Sequence, residues 1–193
     1  MQLAANHKRD GNVRLALFSN AHSPPGDMFQ ISSYITQNDN NTGGVTFEDI
    51  DFVFDPFTTP QTYTALHCLP EGVQNLRVNR CVFSDCPQGI WIEQGLQSTI
   101  TGNTFRYTTN GNQGTSILLG NGGSEGDGGS AKKVYIDGCV FRADQGIGGS
   151  TALIIKGCDQ LRMSDCDIDS YYYGIMIQPG AYGSNAVHLF FDN

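Results

Sequence analysis

Residues 78–95 read VNRCVFSDCPQGIWIEQG: two short apolar runs joined through a Cys-containing bend, with a Gly at each end of the second run. Neither run is long enough for a helix. Aligned on its last large residue, the first run returns along the chain. VTFEDIDF ends at Phe52, LRVNRCVF at Phe83, STITGNTF at Phe105, VYIDGCVF at Phe141 and LRMSDCDI at Ile168, in steps of 31, 22, 36 and 27 residues. A second run follows in each later unit: GIWIEQG (89–95), GTSILLG (114–120), TALIIKG (151–157) and GIMIQPG (174–180), each with its final Gly six places after its first residue. TALHCLPEG (64–72) is a weaker version. Alternation puts Ile90 and Ile92 on one face and Trp91 and Glu93 on the other.

Strand-like runs of constant length joined by loops of variable length exclude a helical repeat, whose period each stacked helix holds nearly fixed. A coil of strands constrains only the strands, and its loops swell outward freely. The expected fold is therefore all-β, a right-handed single-stranded parallel β-helix, with about six to seven rungs stacked roughly 4.8 Å apart. Residues 1–44 read as an irregular N-terminal segment, with VRLALF (13–18) and MFQISSYIT (28–36) as less regular strands, and 45–193 as the regular coil. VHLFFDN (187–193) looks like the start of another rung, so the chain is read as a segment of something longer or as one whose ends a partner covers.

Cys81, Cys139 and Cys166 occupy one phase of the repeat, shared with Asn103 and Ile50. They are expected to form an inward ladder at a bend, thiols packing as small apolar groups and Asn bonding along the stack. Cys86 and Cys158 lie outside that phase.

Composition agrees with this reading. The 193 residues hold 24 glycines and only 16% charged residues, a profile of short strands and many turns. A net charge of -8 argues against nucleic acid, which needs clustered Lys and Arg. The start, MQLAANHKRDGN, lacks the apolar core of a signal peptide, and no run approaches a membrane span, so a chain outside the membrane is expected. No C-x-x-C pair supports a metal site; none is expected, and no cofactor.

From about residue 45 to 193 the units resemble the pectate-lyase-like superfamily of right-handed β-helices, to which GDMFQISSYITQNDNNTGGVTFEDIDF (26–52) adds an approach to the regular coil. Such repeats occur in polysaccharide lyases and hydrolases, alginate epimerases, and phage tailspikes and tail fibres. The resemblance bears on fold and not on activity. The N-T-D, D-D, H-G and R-I-K elements of the galacturonan hydrolases do not occur here. Asp165, Asp167 and Asp169 alternate in SDCDIDS as the polar side of a bend and strand, and are weighed as a solvated turn ahead of a metal site.

Three features stand out as functional candidates. On the outer face of the second strand, Trp91, Leu118, Leu153, Ile155 and Met176 form an apolar stripe, read as an intersubunit or loop-covered contact; the tailspike resemblance implies a homotrimer. The loop SEGDGGS (124–130) carries Glu125 and Asp127, a poor catalytic pair on a Gly-rich segment. Tyr107, Tyr171, Tyr172 and Tyr173, with Tyr182 and Gln145, fall in the joints and are the candidate glycan contacts. Asp144 and Asp169 share those joints and are the candidate catalytic carboxylates, should the chain cleave glycans. Of the histidines, His67 and His188 fall in strands at outward positions; His67 is the weakest candidate for a general base.

The leading expectation is a polysaccharide-recognising β-helical segment of a phage-type tail spike or fibre or a similar surface protein, on a virion tail or outside the cell. The alternatives are a polysaccharide lyase or glycoside hydrolase of this fold, and a purely structural spacer. Convergence of carboxyls in a cleft separates the enzymes from the rest.

Overall fold

The computed structural model describes residues 2–7, 13–18, 27–31, 45–54, 63–69, 73–108, 114–120, 131–144, 149–178 and 188–192. Among them the regular structure is entirely β, in three sheets that the chain visits in a repeating order. The first sheet stacks Val13–Phe18, Ile50–Phe54, Val82–Ser84, Thr104–Tyr107, Val140–Ala143 and Asp167–Asp169, with Gln2–His7 antiparallel on the outer edge of Val13–Phe18. The second stacks Asp27–Ile31, Thr64–Cys68, Gln88–Ile92, Thr115–Leu119, Thr151–Ile155 and Tyr173–Ile177. The third stacks Thr46–Glu48, Arg77–Asn79, Gly95–Thr101, Ala131–Asp137, Gln160–Ser164 and His188–Asp192. All pairings but the one at Gln2–His7 are parallel, and parallel stacking already includes Val13–Phe18 and Asp27–Ile31, ahead of residue 45.

The first run of each unit is two strands, not one. It breaks at a residue with left-handed backbone: Asp49, Arg80, Gly102, Gly138 and Asp165, with φ of 55°, 51°, 61°, 58° and 49°. That column turns the chain from the third sheet into the first, so each unit carries three strands. Gly costs nothing in this conformation and Asp tolerates it. Arg80 is held there by Asp49 and Glu48: its Nε and Nη2 donate to the two Asp49 oxygens at 2.8 Å each, and Nη2 also donates to Glu48 Oε1 at 2.9 Å.

Equivalent side chains pile up in columns, as the repeat requires. Phe52, Phe83, Phe105 and Phe141 are mutually in register, followed by Ile168. Their rings stack at centroid separations of 4.8, 4.7 and 4.9 Å and lie within 9° of parallel. Phe47, Val78, Ile100, Ile136 and Met163 form a second column from the third sheet. Side chains of all three sheets meet in one apolar cluster.

The bend column is the expected one. Cys81, Asn103, Cys139 and Cys166 follow one another: the Cys81, Asn103 and Cys139 carbonyls accept from the Thr104, Val140 and Asp167 amides of the next rung, each at 2.9 Å. Asn103 is fully buried; its Oδ1 accepts from the Cys81 amide at 2.8 Å and its Nδ2 donates to the Val78 carbonyl at 2.9 Å. The six cysteines are free thiols.

The second sheet corrects the outer stripe. Its strands do not alternate simply: in Gln88–Ile92 the order is out, in, in, out, in, with Gly89 and Ile90 both facing the core. A Cβ on Gly89 would lie 2.5 Å from the Ser116 carbonyl and 3.2 Å from the Phe105 ring, which is why Gly stands there. In register, Trp91 lies beside His67 and Leu118, and Leu118 beside Ile154, which lies beside Met176. Leu153 and Ile155 therefore belong to the core, in line with Ile117 and Leu119, and both are buried. Aligning TALIIKG on its terminal Gly slips that strand by one residue, and a one-residue slip exchanges the faces.

Candidate functional site

Two places on the outer surface combine polar chemistry with a defined shape. The first lies over the second sheet, where His67 faces outward yet is almost wholly buried. Its Nδ1 is 2.7 Å from Asp27 Oδ2 and its Nε2 is 2.6 Å from Glu93 Oε1. The Trp91 ring stacks on it at 4.1 Å, 5° from parallel, and the Trp91 indole donates to the Gly120 carbonyl at 3.2 Å. A neutral imidazole donates from one nitrogen only. Both bonds form when the ring carries two protons or when one carboxyl is protonated. The two carboxylates sit on opposite ring edges, so they clamp neighbouring rungs and do not converge on one point. Among the described residues no group of three His, Cys, Asp or Glu side chains has the arrangement of a metal site.

The second place is the outward face of the third sheet. One column runs Thr46, Arg77, Thr99, Tyr135, Arg162, Phe190. The column beside it runs Glu48, Asn79, Thr101, Asp137, Ser164, Asp192. Tyr135 is 44% and Phe190 61% exposed, far more than ring carbons require. With Gln160, Arg162 and Asp192 they line a groove of about 620 Å³. Its floor is Val134 and Leu161, both buried. The polar column is tied rung to rung: Asn79 Nδ2 donates to Glu48 at 2.9 Å, Thr101 Oγ1 to Asn79 Oδ1 at 3.0 Å, and Ser164 Oγ to Asp137 at 2.6 Å. Arg162 lies 3.6 Å from Asp192. Two aromatic faces flank a guanidinium here, beside a row of hydroxyl, amide and carboxylate groups.

The sequence candidates fare differently. Tyr107 is interior: its hydroxyl donates to the Cys86 carbonyl at 2.8 Å, and burial pushes its phenol well above the usual range. It is not a glycan contact, because its ring is buried and packed against Tyr171. Tyr171 packs edge-on to Tyr107 and Phe141, and its hydroxyl pairs with Ser116 Oγ at 2.7 Å. Tyr172 and Tyr173 remain open, 63% and 45% exposed and edge to face at 4.6 Å. Asp144 and Asp169 are exposed on adjacent rungs but out of register: Asp169 stands opposite Arg142, two residues before Asp144's place. Of the stripe, Leu118 is buried while Trp91, Ile154 and Met176 are half-buried. Gln145, Tyr182, Glu125 and Asp127 lie outside the described residues.

The third-sheet column is not among the candidates the sequence offers. A signal existed: Arg77, Thr99, Tyr135 and Arg162 each stand six residues before the closing residue of their unit. The partners of His67 carried no such mark, being 40 and 26 residues away in unrelated motifs.

Comparison of the chain with protein-family profiles, with curated proteins and with solved structures finds no match.

Proposed function

We propose that the chain is a stretch of right-handed parallel β-helix whose third-sheet face binds a polysaccharide, as a recognition element of a tail-spike-like or similar surface protein. Three stacked parallel sheets visited in fixed order support a single coil, and parallel crossovers are right-handed in about 98% of cases. The observation that carries the binding reading is the groove with Tyr135 and Phe190 exposed on either side of Arg162. Aromatic faces stack on the apolar faces of sugar rings, and polar tips and neighbouring amides meet their hydroxyls. The two rings stand two rungs apart, roughly 10 Å, so an extended chain crossing the strands meets both. Tyr172 and Tyr173 are a second, smaller aromatic surface on the second sheet.

The test is binding to a panel of neutral and acidic polysaccharides, scored by affinity electrophoresis and by chain shortening. Tyr135→Ala and Phe190→Ala are each expected to weaken binding about 3- to 10-fold, the worth of one aromatic contact. Tyr172→Ala isolates the second surface. Retention of full affinity in the Tyr135→Ala/Phe190→Ala double variant overturns the reading. Chain shortening lost in Asp144→Ala or Asp169→Ala would move the protein to the lyases and hydrolases.

A further inference from the structure

Six free thiols line this fold, and two of them differ from the rest by position. Cys139 and Cys166 are consecutive members of the bend column: Val140 pairs with Asp167, and the Asp167 amide donates to the Cys139 carbonyl at 2.9 Å. Cys68, Cys81 and Cys158 have no thiol in the matching place. Cys81 has Ile50 and Asn103 as its column neighbours, Cys68 has Ile31 and Ile92, and Cys158 bridges to Ala131. One rung, roughly 4.8 Å, falls inside the Cα separation that a disulfide spans.

The pair is also asymmetric. Cys139 is fully buried and Cys166 half-buried, near the last rungs of the stack. The Cys139 thiol faces the Ile100 and Asp137 carbonyls at 3.5 Å and the Cys166 thiol the Ser164 carbonyl at 3.2 Å. Cys139 as a neighbour lowers the Cys166 thiol, while Cys166 and burial push the Cys139 thiol up. Burial raises Cys68, Cys81, Cys86 and Cys158 as well. A partly exposed cysteine with a second thiol one rung away is the arrangement that peroxide-reactive cysteines use.

We propose that Cys166 and Cys139 are a peroxide-reactive thiol pair, forming a disulfide that pins the two rungs bearing Val140–Ala143 and Asp167–Asp169. The Cys166 thiolate attacks the O–O bond of a hydroperoxide. An S–O bond forms, the O–O bond breaks, and the leaving alkoxide or hydroxide takes up a proton, leaving Cys166 as a sulfenic acid. The Cys139 sulfur then attacks the Cys166 sulfur. The S–S bond forms, the S–O bond breaks, and the departing hydroxide leaves as water with the Cys139 proton. Two thiols are oxidised by two electrons in all and one hydroperoxide is reduced to its alcohol and water. A monothiol or dithiol reductant reverses the step by exchange.

The experiment treats the folded full chain with a small excess of hydrogen peroxide, then counts thiols after unfolding and maps peptides without reduction. Two thiols are expected to be lost, and the cross-linked peptide should join Cys139 to Cys166; dithiothreitol should restore both. In Cys139→Ser, a dimedone adduct should accumulate on Cys166 because nothing resolves the sulfenic acid, while Cys81→Ser should behave as the parent. Peroxide that leaves Cys166 untouched, carries it to the sulfinic acid without a cross-link, or joins a different pair overturns the proposal. The parent chain alone decides this, so a variant that fails to fold leaves the test intact.

Discussion

Replacing Phe105 with Ala tests the stacked core most directly. Its ring is fully enclosed between Phe83 at 4.7 Å and Phe141 at 4.9 Å, nearly parallel to both. Phe-to-Ala changes in cores cost about 3–5 kcal/mol through lost transfer energy and the cavity left behind. Each ring pair adds about 0.5–1.5 kcal/mol beyond area, and Phe105 has two such pairs. Phe105→Ala is therefore expected at the upper end, about 4–5 kcal/mol. Phe105→Leu keeps most of the volume and loses only the stacking, about 1–3 kcal/mol. An aliphatic side chain fits the column, since Ile168 occupies the same place beside Phe141. Urea unfolding followed by far-ultraviolet circular dichroism and by fluorescence of the single tryptophan, Trp91, measures both variants. The two probes should move together if the rungs unfold as one unit. Equal losses for Leu and Ala, or an Ala loss below about 1.5 kcal/mol, would refute the stacked-ring account.

Glycine positions give a sharp contrast. Gly120→Ala should cost about 2–4 kcal/mol in thermal melts, because the new Cβ meets Gly157 backbone at 2.5 Å and φ is 79°. Gly102→Ala should cost only about 1–2 kcal/mol, since its nearest neighbour is 3.7 Å away and only the left-handed φ resists. His67→Ala removes the hydrogen-bond partner shared by two nearly buried carboxyl groups and should cost about 2–4 kcal/mol, with His67→Gln recovering part of it; equal melting temperatures for Ala, Gln and parent would count against the clamp. Alkali should destabilise the fold. Burial pushes the thiols of Cys68 and Cys158 up to about 12 and Cys81 up to about 11, from an ordinary 9.0. The unfolded chain ionises them first, so their contribution is full below about pH 9 and falls as pH rises toward 12. A melting temperature flat from pH 8 to 11.5 would contradict this.

Much of the architecture was legible because a stacked coil repeats its demands. Phe83, Phe105 and Phe141 recur in phase since each ring rests on the one below, and Asn103 and the thiols recur with them because one inward bend has one shape. The left-handed residues were harder to read. Asp49, Arg80, Gly102, Gly138 and Asp165 share a backbone conformation but not a side-chain type. The break between third and first sheet therefore hid inside what reads as one run. The faces of the second sheet were misread at Leu153 and Ile155 because two consecutive inward residues, such as Gly89 and Ile90, suspend simple alternation.

Phase along the chain thus determined the stacking of strands and the contents of the core columns, since both depend on side chains one rung apart. Tertiary structure alone decided which outward columns lie open and which are covered. His67 and Tyr135 both face away from the core, yet the first is held between Asp27 and Glu93 under Trp91 and the second stands open beside Arg162. Exposure depends on every neighbour in space, and those neighbours arrive from distant parts of the chain.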